Sequence, residues 1–202
     1  MEIVCLDLEG VLIPEIWIGV AEKTGIDALR DTTRDIPDYD ELMQQRLRIM
    51  DENGLGLPII QEVIDSLDPL EGAPEFMAWL RAHFQVVILS DTFYEFGESF
   101  MRKLDWPTLF CHRLETNAEG KIVNYHLRIK DHKREAVKSL HDLNFTVFAA
   151  GDSYNDTSML NEADQGILFK APGHVIEEFP QFPSVNSYAE LRAELEKASP
   201  RF

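Results

Sequence analysis

Short, uninterrupted apolar runs recur along the chain, and each stops at a small or polar residue. They cover 3–8, 85–90 and 145–150, with a weaker run at 166–169. These runs are rich in β-branched residues and have no polar alternate face, so they predict strands covered on both sides. Between them the apolar positions take helical spacing, which predicts helices over 74–83, 93–104, 131–143 and 154–163. Strands alternating with helices predict an α/β fold, a parallel sheet flanked by its crossover helices.

The segment of residues 14–71 breaks this rhythm. It has no clear strand but three helical patterns. The first, 15–24, carries Ile16, Val20 and Ala21; the second, 39–50, carries Leu42, Met43, Leu47 and Met50; the third spans 57–67. A block of this length is too long for an ordinary loop. It predicts a small helical cap inserted after the first strand, over a core made of 1–13 and 72–202. Residues 108–129 predict a β-hairpin turning at Gly120, and 184–186 a short strand before a closing helix at 187–197. Trp17, Phe93, Phe96 and Phe100 stand at helical spacings and are expected in the core.

Length and charge narrow the function. A chain of 202 residues buries one sizeable core plus a small appended unit. The formal charge of −17, from 36 acids against 19 bases, argues against nucleic acid and against anionic membranes as partners. Cys5 and Cys111 have no metal-ligand spacing, so a reduced intracellular protein is expected. No basic leader precedes the first apolar run, and no stretch approaches the roughly 18 apolar residues of a membrane span. A cytoplasmic location is the expectation. The six histidines form no His-Glu-x-x-His pattern, and Asp152–Asp156 lacks the glycine and final glutamate of a calcium loop. Gly54 and Gly56 follow no strand, which disfavours a dinucleotide loop.

Ligands of parallel sheets bind beyond the carboxyl ends of the strands. The first strand delivers Asp7, followed by Glu9-Gly10-Val11; the second delivers Ser90; the third empties into Gly151-Asp152-Ser153-Tyr154-Asn155-Asp156. Phosphoryl transfer needs a nucleophile, a metal, cations or donors on the remaining oxygens, and a proton handler. Asp7 suits the nucleophile and a metal ligand, Glu9 the proton handler, and Asp152 a second hard oxygen for the metal. Ser90 offers a hydroxyl. Lys133 supplies the cation, with Lys130 as the competing choice, and Asp156 orients either the metal shell or the lysine.

Asp7-Leu8-Glu9-Gly10-Val11, Ser90-Asp91-Thr92, Lys133 and Gly151-Asp152-Ser153-Tyr154-Asn155-Asp156, in this order, resemble the four motifs of the haloacid dehalogenase-like phosphatases. The resemblance implies a Rossmannoid parallel sheet, an aspartyl phosphate on Asp7, and magnesium held by Asp7, Glu9 and Asp152. The helical insertion is similar to the cap of phosphoserine phosphatases. That implies a substrate-binding set of Glu15, Arg46, Ser90, Asp91, Lys133 and Asn155, with Glu15 on the substrate amino group and Arg46 on its carboxylate. Three departures stand out: Glu9 where the family usually has Asp, Asp91-Thr92 where glycines usually follow the serine, and Glu15 one residue early. Together they resemble the phosphoserine–homoserine phosphotransferase subgroup, connected with serine and threonine biosynthesis. The resemblance alone supplies O-phosphoserine and homoserine as the small-molecule substrates. A plain phosphoserine phosphatase, a phosphatase for another small metabolite and a catalytically silent binding module are the competing readings. Oligomeric state, a homo-oligomer included, is left open.

Overall fold

The computed structural model describes residues 1–32, 35–36 and 38–202. The first strand, β1 (Glu2–Leu6), is buried at all five positions. Its side chains divide by the two-residue period of a strand. Val4 and Leu6 join one hydrophobic cluster, and Ile3 and Cys5 join the other. That is why the run reads as continuously apolar: both of its faces are covered.

β1 pairs in parallel with β2 (Gln85–Phe93) on one side and β5 (Thr146–Gly151) on the other. The sheet continues past β5 to β6 (Gln165–Phe169) and β7 (Ser184–Val185), and past β2 to β3 (Thr108–Thr116). The antiparallel strand β4 (Ile122–His126) closes that edge, giving the order β4-β3-β2-β1-β5-β6-β7. The chain therefore starts mid-sheet and winds outward both ways, so the strand order reverses at β1. A crevice opens at such a reversal, beyond the carboxyl ends of the strands.

Helices α1 (Ile16–Thr24), α2 (Tyr39–Glu52) and α3 (Leu57–Asp65) occupy the long segment after β1. Val20, Met43 and Ile60, buried on these helices, belong to the cluster that also holds Leu6 and Phe148. They share that face with α4 (Ala73–His83), α5 (Tyr94–Lys103) and α9 (Tyr188–Ala198). The opposite face is covered by α6 (His132–Asp142), α7 (Thr157–Glu162) and α8 (Gly173–Glu178). Trp17, Phe93, Phe96 and Phe100 are all buried, as their spacing predicts.

The β3–β4 hairpin reaches back to the helical segment. The Leu57 N–H donates to the Gly120 carbonyl at 2.9 Å, Lys121 pairs with Asp51 at 2.5 Å, and the Tyr125 hydroxyl bonds Asp40. Two elements depart from the sequence pattern. β2 runs three residues past its predicted end at Ser90, because Thr92 and Phe93 stay buried beyond an irregularity in its pairing with β3. The predicted helix 154–163 divides into a 3₁₀ turn (Tyr154–Asp156) and α7, the turn being tightened by a Ser153–Asp156 capping box. Among the described residues no helix is long and apolar enough to cross a membrane.

Candidate active site

Asp7 leaves β1 with its N–H still donated to the Ala150 carbonyl at 3.0 Å, so its backbone is held in the sheet. Its Oδ1 accepts the Leu8 N–H at 2.8 Å. Gly10 then turns with φ +76°, and a Cβ there would lie 2.5 Å from Asp152 Oδ2. Only glycine fits both the backbone and the space. Gly151 at the end of β5 answers a similar demand, since a Cβ there would lie 2.4 Å from the Cβ of Asp156.

Asp156 is fully buried and organises this corner. Its Oδ2 accepts the N–H groups of Asp152 and Ser153 at 3.0 and 3.1 Å, and its Oδ1 takes the Lys133 ammonium at 2.8 Å. Lys133, in the first turn of α6 and only 2% exposed, also lies 2.9 Å from Asp7 Oδ1 and 3.2 Å from Asp91 Oδ2. Lys130 is exposed and lines a neighbouring cleft of about 710 Å³, so the buried cation is Lys133. Burial alone would lower the pKa of Lys133. Asp156, Asp7 and Asp91 reverse this and hold it well above the usual lysine range.

Carboxylate oxygens of Asp7, Asp152 and Asp156 lie within 4.8 Å of one another, and all three residues are buried. Asp156 is committed to Lys133 and two amides. Asp7 and Asp152, at the ends of neighbouring strands, are the candidate pair for a hard cation. Burial, and then the charge of Asp156, push the Asp7 carboxyl well above its ordinary value against the pull of Lys133. Three carboxylates, those of Asp7, Asp91 and Asp156, thus surround one ammonium, with Asp152 close beside Asp7 and Asp156, and a divalent cation would offset the surplus. The Glu9 carboxylate lies outside this group and accepts the Ile16 N–H at 2.9 Å. Burial and the charge of Glu15 push Glu9 up to about 8, against the pull of the Ile16 N–H, Arg46 and Lys133.

A cavity of about 100 Å³ joins these groups to the helical segment. It is lined by Asp7, Glu9, Ser90, Asp91, Lys133, Asp152 and Asn155, and also by Glu15, Trp17, Tyr39 and Arg46. Apart from Asp156 and the competing Lys130, each candidate site residue named from the sequence thus reaches its wall, and Asp156 pairs with Lys133. Arg46 is buried on α2, with its guanidinium 4.5 Å above the Trp17 ring and Nη2 donating to the Asp31 carbonyl at 2.8 Å. Its Nε is buried without a partner among the described residues, and burial lowers its pKa to about 10. Ser90 is buried, and its Oγ accepts the Thr92 N–H at 3.2 Å.

Asp91 is bonded on every side. Asn155 Nδ2 donates to Oδ2 at 2.6 Å, the Tyr39 hydroxyl donates to the Asp91 carbonyl at 3.0 Å, and His132 and His112 face Oδ1. Burial would raise this carboxyl, but Lys133 and the two histidine hydrogen bonds hold it well below the carboxylate range. Tyr39, His112 and His132 were not legible as site residues. No local pattern marks them, because the fold brings them together from α2, β3 and α6.

Comparisons with known proteins identify the family. The haloacid dehalogenase-like hydrolase family matches residues 1–164. Over 201 residues the chain is 65% identical to a phosphoserine phosphatase, ThrH, of Pseudomonas aeruginosa, covering 100% of this chain and 98% of that one. A phosphoserine phosphatase of Pseudomonas syringae pv. tomato is 64% identical over 201 residues, covering 100% of this chain and 85% of that one. Among solved structures, a substrate-bound phosphoserine phosphatase superposes with a TM-score of 0.76 at 19% identity, covering 97% of both chains. The phosphoserine phosphatase of T. onnurineus gives 0.71 at 25% identity, over 94% of this chain and 92% of that one. With its parallel sheet reversing at β1, its four motifs gathered at one crevice and the family match over most of its length, the chain belongs to the haloacid dehalogenase-like hydrolases.

Proposed function

We propose that this hydrolase is a magnesium-dependent phosphoserine phosphatase that passes the phosphoryl group to homoserine as well as to water. One observation carries the reading: a single small cavity is lined both by Asp7, Glu9 and Asp152 and by Glu15 and Arg46. The first three suit phosphoryl chemistry, and the last two present opposite charges to the zwitterionic end of an amino acid. The chain-long identity to proteins named phosphoserine phosphatase supports the same substrate.

In this reading Asp7 attacks the phosphorus of O-phosphoserine, giving an aspartyl phosphate and releasing serine. Glu9 carries a proton at neutral pH because burial raises it, so it protonates the departing serine oxygen. The resulting carboxylate then takes a proton from the acceptor hydroxyl as that oxygen attacks the phosphorus and frees Asp7. Lys133 stays charged throughout and faces the attacking carboxylate at 2.9 Å. Asp7 and Asp152 are the proposed magnesium ligands, and Glu9 is kept for proton transfer. Bound magnesium would supply charge neutralisation for the phosphoryl oxygens.

Residues 14–71 act in this reading as a cap that reads the amino acid and excludes water. Homoserine at roughly millimolar concentration competes with water at roughly 55 M, a handicap of about 6 kcal/mol. Positioning supplies about 7–11 kcal/mol, enough to overcome it. Serine and homoserine differ by one methylene, so one site holds either in turn. The test is to incubate the protein with magnesium and O-phosphoserine, with and without homoserine, and to quantify phosphohomoserine and free phosphate. Phosphohomoserine forming faster than phosphate supports transfer. Phosphate alone reduces the protein to a phosphatase, and no turnover rejects the substrate.

A further inference from the structure

Beside the cavity lies a cluster that the proposed reaction does not use: His112 on β3, His132 opening α6, and Asp91 on β2. Both imidazoles are buried, and their Nε2 atoms lie 3.5 and 3.0 Å from the same oxygen, Asp91 Oδ1. The second oxygen, Oδ2, takes Asn155 at 2.6 Å and Lys133 at 3.2 Å. The ligand atoms of the two histidines and the carboxylate lie within 4.8 Å of one another, a grouping that could hold a metal ion.

Hydrogen positions separate a metal site from a hydrogen-bonded one. The Arg128 backbone N–H donates to His112 Nδ1 at 3.2 Å, so that nitrogen carries a lone pair. The proton of the neutral ring then sits on Nε2 and points at Asp91. A zinc-bound histidine has the opposite arrangement: a lone pair at the metal and an N–H donated outward to an acceptor. His132 lacks that outer acceptor too, since its Nδ1 is buried with no partner among the described residues. With no acceptor at Nδ1, the position for the ring proton is the Nε2 that faces Asp91, and burial lowers the His132 pKa in the same sense. A dication here would also face the Lys133 ammonium across Asp91.

We propose that His112 and His132 are positioning residues: as neutral Nε2–H tautomers they fix the Asp91 carboxylate, which holds Lys133 and Asn155 at the phosphoryl site. This rests on the phosphatase reading above. It also accounts for the departure at this position. A carboxylate beside the site of an incoming phosphate is tolerable only when its oxygens are already taken, and here four side chains take them.

Two measurements test it. Long-range ¹H–¹⁵N spectra of the wild-type protein should show His112 protonated at Nε2 and bare at Nδ1, unchanged by equimolar zinc. A His112 protonated at Nδ1, or resonances moved by zinc, would overturn the proposal, and this holds whatever substrate the enzyme takes. In the second, His112→Leu and His132→Leu should each lower kcat/KM for O-phosphoserine about 10- to 100-fold, as displaced groups at a reacting centre do. His112→Gln keeps an N–H near the position of Nε2 and should recover most of that loss, with Tm recorded for every variant. Leucine variants that fold and keep wild-type kcat/KM, or a glutamine variant as impaired as the leucine one, would count against it. Should the leucine variants not fold, the wild-type spectra decide. A wild-type protein inactive on O-phosphoserine would reject the substrate reading and leave the tautomer result standing.

Discussion

Burial and the charge of Glu15 push the Glu9 carboxyl up to about 8, as the proposed role of proton donor requires at neutral pH. The same shift makes stability depend on pH. The folded value lies above the ordinary 4.5, so the unfolded chain gives up this proton first as pH rises. The contribution is fully present below about pH 4.5 and is lost as pH climbs through about 8. Asp7, also raised, acts in the same direction. With metal chelated, we expect the protein to lose stability between about pH 5 and about pH 8.5, and Glu9→Gln to remove part of that slope. Urea denaturation at both pH values checks it, and equal slopes for the two proteins would contradict it. Arg46 calls for a kinetic test. Arg46→Ala should raise KM for O-phosphoserine about 10- to 100-fold, the loss of a charged hydrogen bond, while leaving p-nitrophenyl phosphate nearly unaffected because it has no carboxylate. Asp7, Lys133 and Asp152 were legible because they stand beside strand ends and a helix start. Tyr39 and His132 were not: their contacts with Asp91 cross 52 and 41 residues of chain.

At the scale of elements, the turn after β1 lies against one of the two carboxylates proposed to hold magnesium. Gly10 lets this turn pass directly against Asp152. Gly10→Ala should cost roughly 1–2 kcal/mol for the left-handed backbone, and its methyl group should also displace the Asp152 carboxylate. Calorimetric titration with magnesium is expected to show an affinity loss larger than the fall in Tm predicts. Unchanged affinity would separate this turn from the metal site. The hairpin of β3 and β4 has a comparable role for the helical segment, since Tyr125, Lys121 and Gly120 all bond to α2 or to the start of α3. The hairpin itself was legible from its turn residues. Its docking was not, because its partners Asp40 and Asp51 lie far from it in the chain and no local pattern joins them.

For the whole molecule the governing quantity is negative charge, −17 overall, with three carboxylates around one buried ammonium and a fourth, Asp152, beside them. Magnesium should therefore stabilise the fold, by about 2.7 kcal/mol when present at a hundredfold over its dissociation constant. Thermal melts in magnesium should exceed those in sodium chloride of equal ionic strength, which corrects for general screening of the acidic surface. Asp152→Asn should abolish the difference. A shift that survives this substitution would place the stabilising magnesium elsewhere.

The sequence by itself determined the alternation of strands and helices, the helical insertion and the acidic residues at the strand ends. These follow from short-range rules: side-chain period, turn chemistry, and the tendency of a parallel sheet to expose its carboxyl ends. Only the tertiary structure decided which charges face one another. It buried Lys133 among Asp7, Asp91 and Asp156, raised Glu9 by burying it and by the charge of Glu15, and set two histidines on one oxygen of Asp91. Such outcomes depend on burial and on distances of about 3 Å between distant parts of the chain, and no local pattern encodes either.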